Sequence, residues 1–316
     1  MSITPWEVPI IPRLQKLLIE SLLKGKKVRL DGRRLDQVRS IEIQPGYIER
    51  AEGSALVKLG NTMVVAGVKM DTATPFPDTP NEAVLIVNAE FMPIASPYIE
   101  PGPPDENAIE LARVIDRALR ELRAIPLEEL AIEPGKTVWR IYVDVYVLNH
   151  DGNVADAAML AAMAALMAAR MPALVKQGDT VRVDRSRFTG LLPVRHRVVG
   201  VTVAKVGQWL LVDPSYEEEK ISDVRLHVAV SDDGRIAGLQ KTGPGMFSLQ
   251  EVYEAVNLAL AKSKVYLNAL EEALKPYRER LEKELTGGEG SAENPVEAGE
   301  TEGAEREEAG SSGEED

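Results

Sequence analysis

A group of short β-like runs together with a helix occurs twice along the chain, and this order of elements restricts the fold to sheets covered by helices. The apolar runs span 39–44, 54–59, 62–70, 83–92 and 138–149 in the first half, and 198–206, 209–213, 224–232 and 235–240 in the second. Residues 60–61 and 233–234 have the composition of hairpin turns. The sequence therefore predicts two α+β halves, each a sheet with a covering helix, although the halves are too dissimilar to be called a repeat.

Helical periodicity marks four segments, at 12–24, 106–124, 154–170 and from 248 onward. The first is amphipathic, so it should pack on this chain or on a partner. The third holds nine alanines among seventeen residues, which lets it approach a sheet closely. The last opens with a capping box of Ser248 and Glu251 and is predicted to break or kink at Pro276.

Charge is distributed unevenly along the chain. The net charge is −13, but residues 287–316 contain eleven acidic residues and one basic residue, which leaves 39 acidic and 36 basic residues elsewhere. A nearly neutral body is compatible with a nucleic-acid partner. Residues 286–316 lack large apolar side chains, so we expect a disordered acidic tail that either solubilises the protein or acts as a nucleic-acid decoy.

Several chemistries lack their required residues. The absence of Cys excludes disulfides, thiolate zinc sites, iron–sulfur clusters and a cysteine nucleophile. The phosphate-loop, dinucleotide, zinc-protease and hydrolase-elbow motifs do not occur. No run is long enough to span a membrane and the first residues lack a signal-peptide layout, so a cytoplasmic protein is expected.

Histidines and acidic clusters give weak signals for a metal site. The three histidines are far apart in sequence and are expected to be ordinary, partly exposed side chains. Asp213 and residues 217–219 could hold a divalent cation through carboxylate oxygens. A solvated acidic loop is the preferred interpretation of that segment.

One face of the second predicted helix carries arginines. Arg113, Arg117 and Arg120 follow an i, i+4, i+7 spacing, which places them within an arc of about 60°. Successive guanidiniums can each place a planar donor fork on a phosphate, so the row suits a nucleic-acid backbone. Alternatively, the arginines pair within the helix, because Glu110 lies three residues before Arg113 and Asp116 four before Arg120.

Three motifs in combination resemble the RNase PH family of phosphate-dependent exoribonucleases. They are RLDGRRLDQVRSI at 29–41, GSALVKLGNTMVVAGV at 53–68 and ELARVIDRALR at 110–120. Their order and spacing also agree with the family, and the resemblance covers residues 12–276. Within the family, the block PDENAIELARVIDRALRE is most similar to the larger, phosphorolysis-incompetent ring subunit of the archaeal exosome.

The resemblance implies an α/β (α+β) RNase PH-like fold of two βαβ-type subdomains with mixed sheets and covering helices, at 29–190 and 191–285, after an N-terminal helix and arm at 1–28. It also implies a ring of three heterodimers with a catalytic RNase PH-type subunit, RNA-binding cap proteins and single-stranded RNA, and no membrane partner. Arg113, Arg117 and Arg120 would bind the RNA backbone and shape the active site of the partner. The complex would use inorganic phosphate and Mg²⁺, whereas this chain would hold no cofactor and no metal.

Two departures from the catalytic members predict that this chain has no catalytic residue. Catalytic members bind phosphate through DGGTR at the start of the small-residue helix, where this chain has DGNVA at 151–155. They also carry a D-L-x-Y-x-E-D-x5-D motif, which here begins at Asp213, has Glu218 and Glu219 at its inner positions and ends in Arg225. An arginine can neither bind a cation nor transfer a proton in place of a carboxylate.

Two other functions stay open at the level of sequence. The chain could be an autonomous phosphate-dependent 3′-to-5′ exoribonuclease that uses an atypical acid, Glu219 or Asp223. It could also be a pure scaffold with no RNA contact, which full pairing of Arg113 and Arg117 with Glu110 and Asp116 would favour.

Overall fold

A computed structural model describes residues 12–26, 28–177 and 180–287. The helices in these ranges are α1 (Pro12–Lys26), α2 (Glu106–Glu121), α3 (Val154–Met167), α4 (Tyr216–Ile221) and α5 (Leu249–Gly287). Two short 3-10 turns occur at Pro93–Ala95 and Leu127–Leu130. From residue 288 onward, the segment predicted to be an acidic tail lies outside the described residues.

The first sheet is mixed, as the sequence predicts. Its strands are β1 (Ile41–Pro45), β2 (Gly53–Leu59), β3 (Thr62–Ala73), β4 (Val84–Phe91), β5 (Ala131–Glu133) and β6 (Thr137–Asn149). They follow the order β1-β2-β3-β6-β4, with β5 paired to β6 and with β4 parallel to β6. The predicted two-residue turn at 60–61 is confirmed, because Leu59 pairs with Thr62.

The second half contains an antiparallel sheet and a separate ribbon. β7 (Arg170–Gln177) and β8 (Thr180–Leu191) form the ribbon, and β9 (Val198–Val206), β10 (Trp209–Val212), β11 (Val224–Ser231) and β12 (Ile236–Thr242) form the sheet. The sheet order is β10-β9-β11-β12 and every pair in it is antiparallel. The α/β fold of two sheets with covering helices is therefore confirmed, with the difference that only the first sheet is mixed.

The sequence analysis did not identify the β7–β8 ribbon. The residues of β8 alternate between exposed and half-buried positions without a fully buried face, so the strand lacks the apolar period of a core strand. The ribbon attaches through Arg185, which donates to Glu52 at 2.8 Å. The helix predicted at 154–170 ends earlier, at Met167, because β7 begins at Arg170.

Helix α3 lies between the two sheets and is enclosed on all sides. It contacts β2 and β3 of the first sheet and β9 of the second, and every residue from Asp156 to Met167 is buried. Alanine makes this close approach possible, as expected from the sequence. At the β2 contact, a Cβ added to Gly53 would lie 2.4 Å from the carbonyl oxygen of Ala165.

One face of helix α1 packs on this chain. Ile19 and Leu23 are buried and form a small cluster with Val206, Leu211 and Ile221. Lys16 adds an ion pair of 2.5 Å to Asp223. The buried face of α1 thus packs on this chain, while Leu14, Leu17 and Leu18 on the same helix are exposed.

The last helix does not end at Pro276, contrary to the prediction of a break there. Helix α5 continues through Pro276 to Gly287. Leu274 and Leu281 on either side are both buried, so packing of the apolar stripe offsets the backbone hydrogen bond that proline cannot make. Within the described ranges, none of the helices is long and apolar enough to cross a membrane.

Candidate nucleic-acid interface

Helix α2 packs on the first sheet through one face and presents its three arginines on the opposite, exposed face. Its N-terminus is fixed by the Asp105 side chain, which accepts a hydrogen bond from the Ala108 N–H at 2.9 Å. The face that packs on the sheet is apolar and buried, and comprises Ala108, Leu111, Ile115, Ala118 and Leu119. The opposite face therefore carries Arg113, Arg117 and Arg120, all of which are exposed.

The three arginines differ in what they contact. Arg120 donates from Nε to Asp116 at 2.9 Å and from Nη2 to the carbonyl oxygen of Leu85. Across the described part of the chain, Arg113 and Arg117 have neither an ion pair nor a hydrogen bond. Two adjacent guanidiniums, one helical turn apart, are therefore free to bind an external anion.

Glu110 does not pair with Arg113, although the spacing permits it. Its Oε1 accepts a hydrogen bond from Nε2 of Gln240 at 2.8 Å and one from Oγ1 of Thr242 at 3.3 Å. Of the two pairs in which an acidic residue precedes an arginine by three or four positions, only Asp116–Arg120 forms. The sequence analysis missed Gln240 and Thr242, because a contact over 130 residues leaves no local spacing signal.

A surface groove runs between α2 and β12. Its volume is about 310 Å³. It is lined by Arg113, Arg117 and Gln240, by the acidic side chains of Glu106 and Glu110, and by the apolar side chains of Ile109 and Val114. Guanidiniums beside an apolar floor suit a strand whose phosphates face the arginines and whose sugars or bases face the aliphatic residues.

Three of the four arginines of the first motif are structural, whereas the fourth, Arg34, is exposed. Arg29 donates from Nε to Glu218 at 2.8 Å, and Asp213 accepts hydrogen bonds from Arg33 at 2.9 Å and from Nη2 of Arg39 at 2.7 Å. These contacts join the segment before β1 to the second sheet. They leave the three arginines unavailable to a ligand.

The expected solvated acidic loop is wrong for two of its carboxylates. Asp213 is fully buried, and Glu218 is 1% exposed. Burial opposes ionisation of Asp213, but the hydrogen bonds and positive charge of Arg39 and the amide of Asn153 lower its pKa below the usual value. The error arises because the compensating arginines lie about 180 residues away in sequence.

Glu219 contacts the loop at 151–155, which the resemblance aligns with the phosphate-binding DGGTR of catalytic members. Asn153 precedes α3 and donates its N–H to Oε1 of Glu219 at 3.1 Å. The same oxygen pairs with Arg225 at 2.5 Å. The two positions that carry metal-binding or proton-transferring aspartates in the resembling motif thus hold an ion pair here.

A glycine allows the loop before α3 and the loop before α4 to lie in close backbone contact. Gly152 has a φ of +83°, and a Cβ at this position would lie 2.4 Å from the backbone of Ser215. Close backbone contact between the loop before α3 and the loop before α4 brings Asn153 and Glu219 within hydrogen-bonding distance.

The histidines are not equivalent. His227 is buried, contrary to the prediction of partial exposure. Its Nδ1 lies 3.1 Å from Oγ1 of Thr202 and 3.2 Å from Asp156, so this ring nitrogen has polar partners in the interior. His196 has ligand atoms near Asp232 and Asp233 in an arrangement that could hold a cation.

Cation binding at the His196 cluster faces competition. Arg197 donates to Asp232 at 3.0 Å and Arg235 to Asp233 at 2.6 Å. Bound guanidiniums already neutralise both carboxylates, so this cluster is a weak candidate for a metal centre.

The chain is similar to known proteins over most of its length. Models of the 3′ exoribonuclease family match residues 37–172 with domain 1 and residues 196–262 with domain 2. The exosome complex component Rrp42 of Aeropyrum pernix is 51% identical over 278 residues, which cover 87% of this chain and all of that protein. Rrp42 of Pyrococcus furiosus is 49% identical over 268 residues, with 84% and 96% covered.

Solved structures show the same relationship. A chain of the Archaeoglobus fulgidus exosome with RNA bound to the active site superposes with a TM-score of 0.74 at 44% identity, covering 82% of this chain and 98% of that one. A chain of an archaeal exosome core gives 0.69 at 40% identity. With its first sheet inside the domain 1 match and its second sheet inside the domain 2 match, the chain belongs to the RNase PH, or 3′ exoribonuclease, family.

Proposed function

We propose that this chain is a non-catalytic, RNA-contacting subunit of an archaeal exosome ring, the complex that degrades RNA from 3′ to 5′ by phosphorolysis. The relatives that support this proposal are exosome components, and the match to this chain covers nearly their whole length. The observation that carries the RNA-contacting role is the pair Arg113 and Arg117, which are exposed and unpaired beside a groove. Arg120 would first have to leave Asp116, so it contributes less to RNA binding.

The contacts of two acidic groups support the non-catalytic part of this proposal. Glu219 is bound by Arg225 and by the Asn153 N–H. For Asp223, burial opposes ionisation, but the hydrogen bond from Lys16 lowers the pKa. A carboxyl held ionised by a lysine is a poor proton donor. The two acids on which an autonomous exoribonuclease would depend are therefore both occupied.

The proposed assembly is a ring of three heterodimers with a catalytic RNase PH-type subunit, topped by RNA-binding cap proteins. In it, the catalytic subunit uses inorganic phosphate and Mg²⁺, and this chain supplies arginines that hold single-stranded RNA and help to shape the shared site. The predicted cytoplasmic location belongs to the same proposal.

The RNA-contacting role is tested in the ring coexpressed with the catalytic homologue. Arg113→Glu with Arg117→Glu should leave the mass of the complex unchanged and weaken RNA binding about ten- to hundredfold, since hydrogen bonds to phosphate are charge-assisted. Loss of two phosphate contacts should also reduce the slope of log affinity against log salt by about 1.4.

A matched control reverses two exposed cations on another helix. Lys264→Glu with Lys275→Glu makes the same change in net charge on α5. RNA affinity of this control should stay close to that of the wild-type ring. Equal affinity of the α2 variant and the control would exclude the RNA-contacting role.

The non-catalytic role needs a separate assay. The purified chain alone is mixed with single-stranded RNA, phosphate and Mg²⁺, and release of nucleoside diphosphates is measured. No release is expected, and release above that of the coexpressed ring carrying an inactivated catalytic subunit would refute the role.

A further inference from the structure

Helix α2 contains two pairs in which an acidic residue precedes an arginine by three or four positions, and they have different outcomes. Asp116 and Arg120 pair at 2.9 Å. Glu110 and Arg113 do not, because Glu110 accepts hydrogen bonds from Gln240 at 2.8 Å and from Thr242 at 3.3 Å. The difference between the two sites is the presence of β12 next to the first one.

The donors on β12 are placed by the period of a strand. Gln240 and Thr242 are two residues apart, so their side chains point to the same face, and both are half-buried against α2. The side chain of Lys241 between them donates elsewhere, to the carbonyl oxygen of Gly243 at 2.7 Å.

These hydrogen bonds are strong enough to decide where Glu110 lies. A bond from a neutral donor to a charged acceptor stabilises more than an exposed ion pair three residues apart on a helix. Without them, the carboxylate of Glu110 would have Arg113 as its nearest available cation on the helix surface. Glu110 already lines the groove, and pairing with Arg113 would neutralise that guanidinium.

We propose that Gln240 and Thr242 are positioning residues that hold the Glu110 carboxylate away from Arg113, so that Arg113 stays free to bind an RNA phosphate. The proposal rests on the proposed RNA-contacting role of Arg113 and Arg117. In this proposal, Gln240 and Thr242 of the second sheet affect RNA binding without contacting the RNA themselves.

The test removes the donors and keeps the side-chain volume. In the coexpressed ring, Gln240→Leu with Thr242→Val should weaken RNA binding about two- to fivefold, the range expected when an exposed ion pair competes for Arg113. The salt slope should fall by up to about 0.7, the value of one single-strand phosphate contact. Leu239→Ala, an exposed position on the same strand, should leave both quantities unchanged.

Rescue separates positioning from structural damage. Glu110→Gln removes the competing charge, so adding it to the β12 double variant should restore affinity to near the wild-type value. In a ring that carries Arg113→Ala, the β12 substitutions should have no further effect on affinity.

Each outcome decides the question. If Arg113→Ala with Arg117→Ala weakens binding but the β12 double variant does not, the positioning role is refuted and the RNA-contacting role stands. A loss of affinity that Glu110→Gln fails to restore also refutes positioning. If Arg113→Ala with Arg117→Ala leaves affinity unchanged, the proposed function itself fails.

Discussion

Asp213→Asn removes one negative charge from the buried cluster that joins the segment before β1 to the second sheet. The Asp213 side chain is 0% exposed, and those of Arg33 and Arg39 are each 9% exposed. Its carboxylate accepts hydrogen bonds at 2.7–3.0 Å from both arginines and from Asn153. The substitution leaves Arg39 with only Asp151, at 4.0 Å, as a carboxylate partner, whereas Arg33 keeps Asp31 at 2.6 Å.

The expected loss of stability is large. Removing one partner of a buried ion pair costs about 3–5 kcal/mol, because the remaining charge stays desolvated. For a chain of this size, about 1 kcal/mol changes the melting temperature by roughly 2–4 °C. Thermal unfolding of the purified chain at pH 7, followed by circular dichroism, should therefore show a decrease of about 6–20 °C.

Asp36→Asn is the matched control. Asp36 pairs with Lys262 at 2.7 Å, but its side chain is 38% exposed. Exposed pairs of this kind contribute about 0–1 kcal/mol, so the melting temperature should change by no more than about 4 °C. A decrease for Asp213→Asn no greater than that for Asp36→Asn would refute the reasoning.

The pKa of Asp213 determines how the stability that its carboxylate contributes changes with pH. The folded-state pKa of Asp213 lies below its unfolded value of about 3.9. The stabilisation is therefore fully present above that value and is lost as pH falls through the folded pKa. The stability difference between wild type and Asp213→Asn should stay constant from pH 7 to about pH 5 and become smaller only below about pH 4.

Two further predictions concern the loops and the last helix. Gly152→Ala should destabilise the chain by more than about 1 kcal/mol, since alanine is strained at a φ of +83° and its Cβ would meet the Ser215 backbone; chemical denaturation measures the change, and a neutral result would contradict the contact. The Glu251 carboxyl should titrate near pH 2 in an NMR experiment, because hydrogen bonds from Lys205 and the Ser248 N–H lower its pKa to about 2. A value near 4.5 would mean that these bonds do not form in solution.

Local patterns in the sequence predict most of the secondary structure. The alternation of Ile141, Val143 and Val145 identifies β6, whose buried face they form. The capping box is also confirmed, since the Ser248 N–H donates to Glu251 at 2.7 Å and the Glu251 N–H donates to Oγ of Ser248 at 3.3 Å. Such signals involve neighbours within a few residues, for which spacing determines which side chains meet.

Contacts between distant segments could not be predicted in this way. The arginine row was found from its spacing, but which arginines are free depends on Gln240 in the other sheet. Likewise, Asp213 and Glu218 look like surface acids until Arg29 and Arg39 are placed beside them. Charges on separate segments neutralise each other only after the fold has formed.

The enclosure of α3 between the two sheets has a mechanical consequence. Because α3 packs on both halves of the core, moving the halves apart would expose its buried apolar side chains to water. The same packing opposes a change in the separation between the arginines on α2 and the donors on β12. Under the proposed function, an RNA strand would meet a preorganised groove, so binding would not carry the free-energy cost of closing it.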